Sequence, residues 1–317
     1  MSDDLPSVTI IIAARPDQTE INAADASCRL DYPKEKFEIV IARGKHPSVQ
    51  RNTALRAAKG DIIYFLDDDS VPLASNLRHA VKHFSDPAVQ IVGGPNICPS
   101  EAPRIEQAFA LTMGSWLAFG PSRARYRPIG RLRHSSEKEL ILCNLLARRQ
   151  ALLDLDGFDE SLYPNEENAL MDDLQKRGRI LLYDPELIVY RRPRSTLKAF
   201  TKMLATYGRG RAEQFRLHPT IGSALNFIPP LFCLYLLCWL WLPDAARSLL
   251  FLYLFILFVQ GLVLVGLKGT SRLPGLICLM LITHICYGFG FWRGLFAPLK
   301  HDRQRIPIEV KLEYRAS

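Results

Sequence analysis

The sequence predicts an α/β fold with a mostly parallel sheet, followed by an amphipathic helix at a membrane interface and C-terminal transmembrane helices. Three observations predict it. Short apolar runs at Val8–Ala14, Phe37–Ala42, Ile62–Leu66 and Val89–Gly93 alternate with helical stretches, the pattern of parallel strands covered on both faces. Three successive carboxylates, Asp67, Asp68 and Asp69, close the third run. Charge then nearly vanishes between Ile221 and Phe296.

The first strand ends at Arg15-Pro16-Asp17, and helix follows to about Leu30. Pro47 stands at a helix start, with Val49, Ala54, Leu55 and Ala58 on one face and Gly60 as the stop. After the aspartates a helix runs from about Ala74 to Phe84. In sheets of this kind ligands bind beyond the carboxyl ends of the strands. Asp17, Arg43, Arg51 and the three aspartates can all lie on that edge, which makes an α/β nucleotide-binding fold the natural reading.

In an extended segment Asp67 and Asp69 project together and Asp68 points away. Two acids side by side repel unless a cation neutralises them, and a hard divalent ion bridged to substrate phosphates fits. The plainer alternative is a solvated turn, with the acidic run and Ser70 capping a helix before Pro72.

Residues 103–139 are less regular and carry Arg123, Arg125, Arg127, Arg131, Arg133 and His134, interleaved with Tyr126, Pro128 and Gly130. The choice here lies between a solvated loop and an ordered one using arginine forks for phosphate. Leu140–Leu153 reads as helix or strand. Gly157-Phe158-Asp159-Glu160 comes next, then Asn165-Glu166-Glu167-Asn168 and a helix to Arg177-Gly178. Glu166 and Glu167 suit the first helical turn electrostatically. One of them could instead be a general base opposite a metal-bound leaving group.

The chain has 317 residues, with 40 basic against 32 acidic side chains and a net charge of +8, which suggests an anionic partner. The basic residues adjoin the apolar segments, which argues against nucleic acid. Seven cysteines show no paired spacing and read as reduced thiols of a cytoplasmic or membrane setting. The acidic start Met1-Ser2-Asp3-Asp4 predicts no cleaved signal peptide.

Taken together, the strand with its three aspartates, Gly93-Gly94, Gly157-Phe158-Asp159-Glu160 and Glu166-Glu167 followed by Gly178 resemble an inverting GT-A glycosyltransferase of family 2 over residues 6–192. The apolar region, with Tyr207-Gly208-Arg209-Gly210-Arg211 before it, is similar to membrane-bound exopolysaccharide transferases of the succinoglycan type. The resemblance implies Mg²⁺ or Mn²⁺ on Asp69 and Asp67, and a nucleotide-sugar donor near Ala14, Arg15, Asp17, Arg43, Arg51, Asp67 and Asp68. It puts the base on Glu167, with Glu166 beside it. Arg125, Arg127, Arg131, Arg209 and Arg211 are candidates for a polyprenyl-linked acceptor or lipid head groups. Two departures stand out. Ala42-Arg43-Gly44-Lys45 replaces the acidic pair that reads the nucleotide base, and Tyr190-Arg191-Arg192 stands where many relatives place a metal-binding histidine.

Domain boundaries are expected at 1–195 for the GT-A domain, 196–220 for the interfacial helix, 221–300 for the membrane region and 301–317 for a basic tail. Leu197, Phe200, Met203, Leu204 and Tyr207 recur at helical spacing among Lys198, Lys202, Arg209 and Arg211, as in an interfacial helix; a core helix of the soluble domain is the alternative. The apolar stretches Ile221–Leu242, Ser248–Leu267 and Leu273–Trp292 each have the length to cross hydrocarbon. Pro229-Pro230 would kink the first, and Gly288, Gly290 and Arg293 weaken the third.

The basic residues before Ile221, with Lys268 and Arg272, place the catalytic domain on the cytoplasmic side of the inner membrane. Three full spans would put Lys300, Arg303, Arg305, Lys311 and Arg315 outside, so either the third stretch is re-entrant or the tail is an exception. The expected function is metal-dependent inverting sugar transfer to a lipid-linked saccharide, possible within a polysaccharide assembly complex. Alternatives are a polyprenyl-phosphate sugar synthase and an inactive transferase serving as a membrane scaffold.

Overall fold

The computed structural model describes residues 5–160, 162, 165–217, 219, 221–266, 271–298 and 309–315. The chain divides into two compact units: residues 1–99, 124–192 and 301–317, and residues 100–123 and 193–300. Lys268, Lys300, Arg303 and Arg305 lie outside the described residues.

Among its described residues the first unit holds eleven strands: β1 (Val8–Ala14), β2 (Phe37–Arg43), β3 (Ile62–Asp67), β4 (Val71–Pro72), β5 (Val89–Gly93), β6 (Asn96–Ile97), β7 (Arg133–His134), β8 (Asn144–Arg148), β9 (Ile180–Tyr183), β10 (Val189–Tyr190) and β11 (Lys311–Arg315). Eight of them form one sheet in the order β11-β2-β1-β3-β8-β5-β9-β7, and β4-β10-β6 form a second. β1 runs parallel to β2 and β3, and β5 parallel to β9. β8 runs antiparallel between β3 and β5.

Alternation along β1 divides the core. Ile10 and Ile12 pack on one face with Leu77, Ala80 and Val81 of the helix Asn76–Val81. Ile11 packs on the other with Ala54 and Leu55 of the helix Pro47–Ala57 and with Leu170 and Leu174 of the helix Glu166–Lys176. Each fully buried Ile, Leu or Val among them contributes roughly 1.5–3 kcal/mol. Pro47 occupies the first turn of its helix, where its missing N–H costs nothing.

Several elements differ from the sequence expectation. The helix after β1 covers only Asn22–Ser27, and the one after β4 gives way to a 3₁₀ turn at Lys82–Ser85. The acidic run does not cap a helix: Ser70 N–H donates to the Asp67 carbonyl, closing a turn into β4, and the next helix begins only at Asn76. Leu140–Leu153 divides into β8 and a short helix, Arg149–Leu153. The tail, rather than forming a separate segment, carries β11, which pairs antiparallel with β2 from Lys311↔Arg43 to Arg315↔Ile39. It covers a sheet edge that would otherwise expose unpaired N–H and C=O groups. Arg43–Glu313 at 2.8 Å and Arg315–Asp25 at 2.7 Å fasten it.

The second unit is helical. Residues 104–113 and 116–119, inside the stretch read as irregular, form helices. The helix Leu197–Leu217 buries Phe200, Leu204, Gly208 and Ala212, and Phe200 stacks on Phe109 with centroids 4.3 Å apart. Among the described residues three helices are long and apolar enough to cross a membrane: Ala224–Trp241, Asp244–Val265 and Leu273–Phe296. The last of these packs tightly against Leu197–Leu217. A Cβ on Gly208 would meet the Tyr287 carbonyl at 2.0 Å, and one on Gly290 the Ala205 carbonyl at 2.0 Å. Only glycine permits that approach.

Candidate active site

β3 delivers the acidic run to the carboxyl edge of the parallel strands, where Asp67 is its last residue. The Asp67–Ser70 turn carries Asp68 and Asp69 with it. Asp67 and Asp69 do share a partner, because the guanidinium of Arg191 bridges them, Nη1 to Asp67 Oδ2 at 3.1 Å and Nε to Asp69 Oδ1 at 2.6 Å. Asp68 goes elsewhere and accepts a hydrogen bond from Gln18 Nε2. The grouping expected from strand alternation therefore holds, but a turn produces it.

Arg191 is fixed by backbone pairing. It follows β10, whose Tyr190 pairs with Val71 just after the acidic turn, and its N–H donates to the Ile97 carbonyl at 2.9 Å. Burial raises the Asp69 carboxyl above its ordinary range, and Asp67 and Asp68 add to this against the opposing pull of Arg191.

Arg51 joins the acidic turn to a second carboxylate element. From the helix Pro47–Ala57 its Nη2 reaches Asp67 Oδ1 and its Nη1 reaches Glu166 Oε1, each at 3.1 Å. Glu166 is 2% exposed, and its other oxygen accepts from the Asn165 N–H at 3.1 Å. Burial, then the neighbouring Glu167, pushes the Glu166 carboxyl up, and Arg51 opposes the shift. Glu167 is only partly buried.

The turn before this helix is strained. Asn165 has φ 116°, a region that non-glycine residues rarely occupy. Asn168 Nδ2 ties Asn165 Oδ1 at 3.0 Å, and Arg125 in turn donates to Asn168 Oδ1 at 2.6 Å and to the Glu137 carbonyl. Gly157-Phe158-Asp159-Glu160 anchors the approach to this turn. The Asn52 amide exchanges two bonds with the Phe158 backbone, each at 2.8 Å, and Phe158 packs edge-to-face on Phe65 of β3.

Other expected residues engage partners of their own. Arg43 donates to the Gln18 carbonyl at 2.7 Å and pairs with Glu313, so it braces the loop after β1 and the tail strand. Arg15 and Asp17 are exposed on that loop, and Ala14 is buried at the end of β1. Arg125 is buried under the Glu166 helix, whereas Arg127 and Arg131 are exposed. In the second unit Arg209 pairs with Glu213 at 3.4 Å and Arg211 donates to Gln214 at 3.0 Å.

Sequence reasoning passed over Gln18, Asn52, Asn165 and Asn168. Amides beside motif acids are a weak signal, because nothing local says what they will meet. It also passed over a second titratable group. His79 and His83, one helical turn apart, each bring Nε2 within 2.8 Å of Asp184 Oδ2, and the three ligand atoms lie within 4.8 Å of one another. That donor set can hold a divalent ion. The hydrogen bonds from His83, the Glu186 N–H and His79 outweigh burial and hold the Asp184 carboxyl down at about 2.

The geometry offers a cation position between two carboxylates at a strand edge and a separate carboxylate pair at a helix start, with Arg51 between them. Such an arrangement can stabilise a departing diphosphate and accept a proton. Residues 17–154 match the family model described as Glycosyl transferase family 2. Pre-mycofactocin glycosyltransferases from two strains of Mycobacterium tuberculosis are 30% identical over 175 residues, 55% of this chain and 36% of theirs. The match thus spans about a third of the length of these curated relatives. The mannosyltransferase PcManGT from Pyrobaculum calidifontis, solved in complex with GDP-Man and Mn²⁺, superposes with a TM-score of 0.57 at 16% identity, covering 93% of this chain and 88% of its own. The chain has the GT-A fold, with the match to the glycosyl transferase family 2 model confined to residues 17–154 and, among the described residues, three C-terminal helices long and apolar enough to span a membrane.

Proposed function

We propose, from a family 2 domain on the GT-A fold, that this protein is a membrane-anchored inverting glycosyltransferase. It moves a sugar from a nucleotide diphosphate donor to a lipid-linked acceptor, a saccharide on polyprenyl diphosphate, in the synthesis of a surface polysaccharide. One observation carries the reading: Arg51 sets the acidic turn of β3 and the Glu166-Glu167 turn against each other at 3.1 Å on each side. Leaving-group and proton-accepting machinery thus come from separate elements held in one geometry.

In the proposed step the acceptor hydroxyl oxygen bonds to the anomeric carbon as the bond from that carbon to the diphosphate breaks. The bonding pair leaves on the phosphate oxygen, and the hydroxyl proton passes to a carboxylate on the opposite side. Glu166 has both oxygens engaged, by Arg51 and the Asn165 N–H, so Glu167 is assigned as the base and Glu166 as a positioning residue. Developing charge on the leaving diphosphate falls to the cation held between Asp67 and Asp69. A divalent ion in that position would have to displace the Arg191 guanidinium from both carboxylates. The donor nucleotide is assigned to the edge bounded by Ala14, Arg15, Asp17 and Arg43. Arg127 and Arg131 on their exposed loop, and Arg209 and Arg211 in the second unit, are assigned to acceptor phosphate or lipid head groups.

Connectivity supports the membrane arrangement we assign. The chain leaves the first unit at Arg192 and returns to it at β11, so both ends of the intervening segment lie on one side of the membrane. The number of full crossings is then even. Ala224–Trp241 and Asp244–Val265 bury 6% and 11% of their residues, against 39% for Leu273–Phe296, so the first two are assigned as a lipid-facing hairpin. Leu273–Phe296 is packed along its length by elements of its own unit: Ser115 meets Met280 at 3.4 Å, the Leu117 carbonyl meets His284 at 2.8 Å, and Ala205 and Gly208 close on Gly290 and Tyr287. It is assigned as re-entrant or interfacial, which keeps the basic tail inside with the catalytic domain.

Purified protein incubated with a panel of nucleotide sugars tests the activity. Hydrolysis or transfer from at least one donor is expected, with Asp69→Asn losing most of it. A wild-type protein inert toward every donor, with and without Mn²⁺ and a polyprenyl-linked acceptor, would favour the scaffold alternative.

A further inference from the structure

We propose that Arg191 itself is the cation of this site, and that the protein binds the donor diphosphate without a divalent metal. The proposal rests on the glycosyltransferase reading above and deepens it. Its ground is the place of one side chain. The oxygens of Asp67 and Asp69 that would face a shared ion are Asp67 Oδ2 and Asp69 Oδ1, and both already accept from Arg191, at 3.1 and 2.6 Å. The second oxygen of Asp67 is taken by Arg51 at 3.1 Å. A Mg²⁺ or Mn²⁺ ion collects several oxygens at about 2.0–2.2 Å, and here the two converging oxygens are filled by N–H donors.

The guanidinium is held there from two directions. The backbone of Arg191 is set by β10 pairing against β4 and β6 and by its own N–H on Ile97. Two charge-assisted bonds hold its head. A guanidinium is not deprotonated in proteins, so Arg191 keeps its charge.

The same placement leaves Arg191 able to act on a ligand. A guanidinium carries five N–H donors, and the bonds to Asp67 and Asp69 take two. Its side chain is 25% exposed, so the residue is not closed off from a ligand. Arginine forks match phosphate geometry bidentately. One positive charge replaces the two of a metal ion, and directed N–H bonds make up part of the difference. The carboxylates then aim the arginine instead of binding an ion.

Calorimetry with UDP and GDP, each in EDTA and in Mn²⁺, tests this on wild type and on Arg191→His, with Mn²⁺ uptake followed by electron paramagnetic resonance. Histidine removes the tethered charge and supplies a neutral metal ligand. Wild type is expected to bind a nucleoside diphosphate with the same affinity, within about twofold, in either buffer, and to take up no Mn²⁺. R191H is expected to need Mn²⁺, binding at least tenfold more tightly with it and taking up about one ion per chain. Wild-type binding that tightens tenfold or more in Mn²⁺ would overturn the proposal, as would uptake of one Mn²⁺ per wild-type chain. If neither diphosphate binds wild type or R191H in any buffer, the nucleotide-sugar reading fails instead. The Mn²⁺ titration then decides Arg191 alone: no uptake by wild type supports it, and one ion per chain ends it.

Discussion

Arg51 and Glu166 stand 3.1 Å apart, both almost fully buried, although 115 positions separate them in the chain. The same guanidinium reaches Asp67 at its other end. Two carboxylate elements that never meet in sequence are thereby registered to each other by one side chain from a third element.

Removing that guanidinium leaves Glu166 buried and unpaired. Arg51→Met is expected to destabilise the protein by about 3–5 kcal/mol and to abolish activity. Arg51→Lys keeps the charge but reaches only one carboxylate well, so it should recover part of the stability and little of the activity. Thermal melts in detergent alongside donor turnover check both. A Lys variant with full activity would show that the bridge does not register the two elements.

Glu166 and Glu167 are predicted to fail differently. Glu167→Gln keeps size and removes basicity, so turnover should fall by about 10² to 10⁴ with donor affinity retained. Glu166→Gln turns an amide N–H₂ toward either Arg51 or the Asn165 N–H, and should lower stability and donor affinity first. Near-normal turnover in E167Q together with a dead but stable E166Q would move the base one residue back.

The bonds on Asp184 predict a pH signature. Its carboxyl is held at about 2, below the ordinary 3.8. A depressed carboxyl contributes stability that is present above pH 4 and is lost as the pH falls through about 2. Wild type should exceed Asp184→Asn by about 2 kcal/mol at pH 6, and the gap should close between pH 4 and 2. A gap constant across that window would mean that the charge on Asp184 is not what His79 and His83 stabilise.

Topology can be read by labelling. In a cysteine-free background, a cysteine at Ala245, just after the turn between the two hairpin helices, should react with impermeant maleimide in intact spheroplasts. One at Tyr314, in β11, should react only after permeabilisation. Labelling of both without permeabilisation would restore three full spans and detach the tail from the catalytic side.

Features that depend on local pattern are legible in the residues alone. β1, β2, β3 and β5 lie where apolar β-branched runs put them, because burial on both sheet faces demands continuous apolar segments. Pro47 and Gly178 bound their helices through backbone restrictions each residue carries with it. The acidic run sits at a strand's carboxyl end, and the three membrane-length helices fall where charge vanishes. What those elements meet is set by pairing across long separations. That Asp67 and Asp69 share one cation comes from a turn, and that the cation is Arg191 comes from β10 pairing beside β4. Arg43 read as a donor ligand and Arg125 as an acceptor-phosphate ligand; the partners they meet, Glu313 and the Gln18 carbonyl for the first and Asn168 for the second, were not legible. The tail read as a separate basic segment, but pairing of β11 with β2 returns it to the catalytic sheet. A charged side chain announces its chemistry from sequence, but its partner is chosen by backbone pairing across long separations, and no local pattern records that choice.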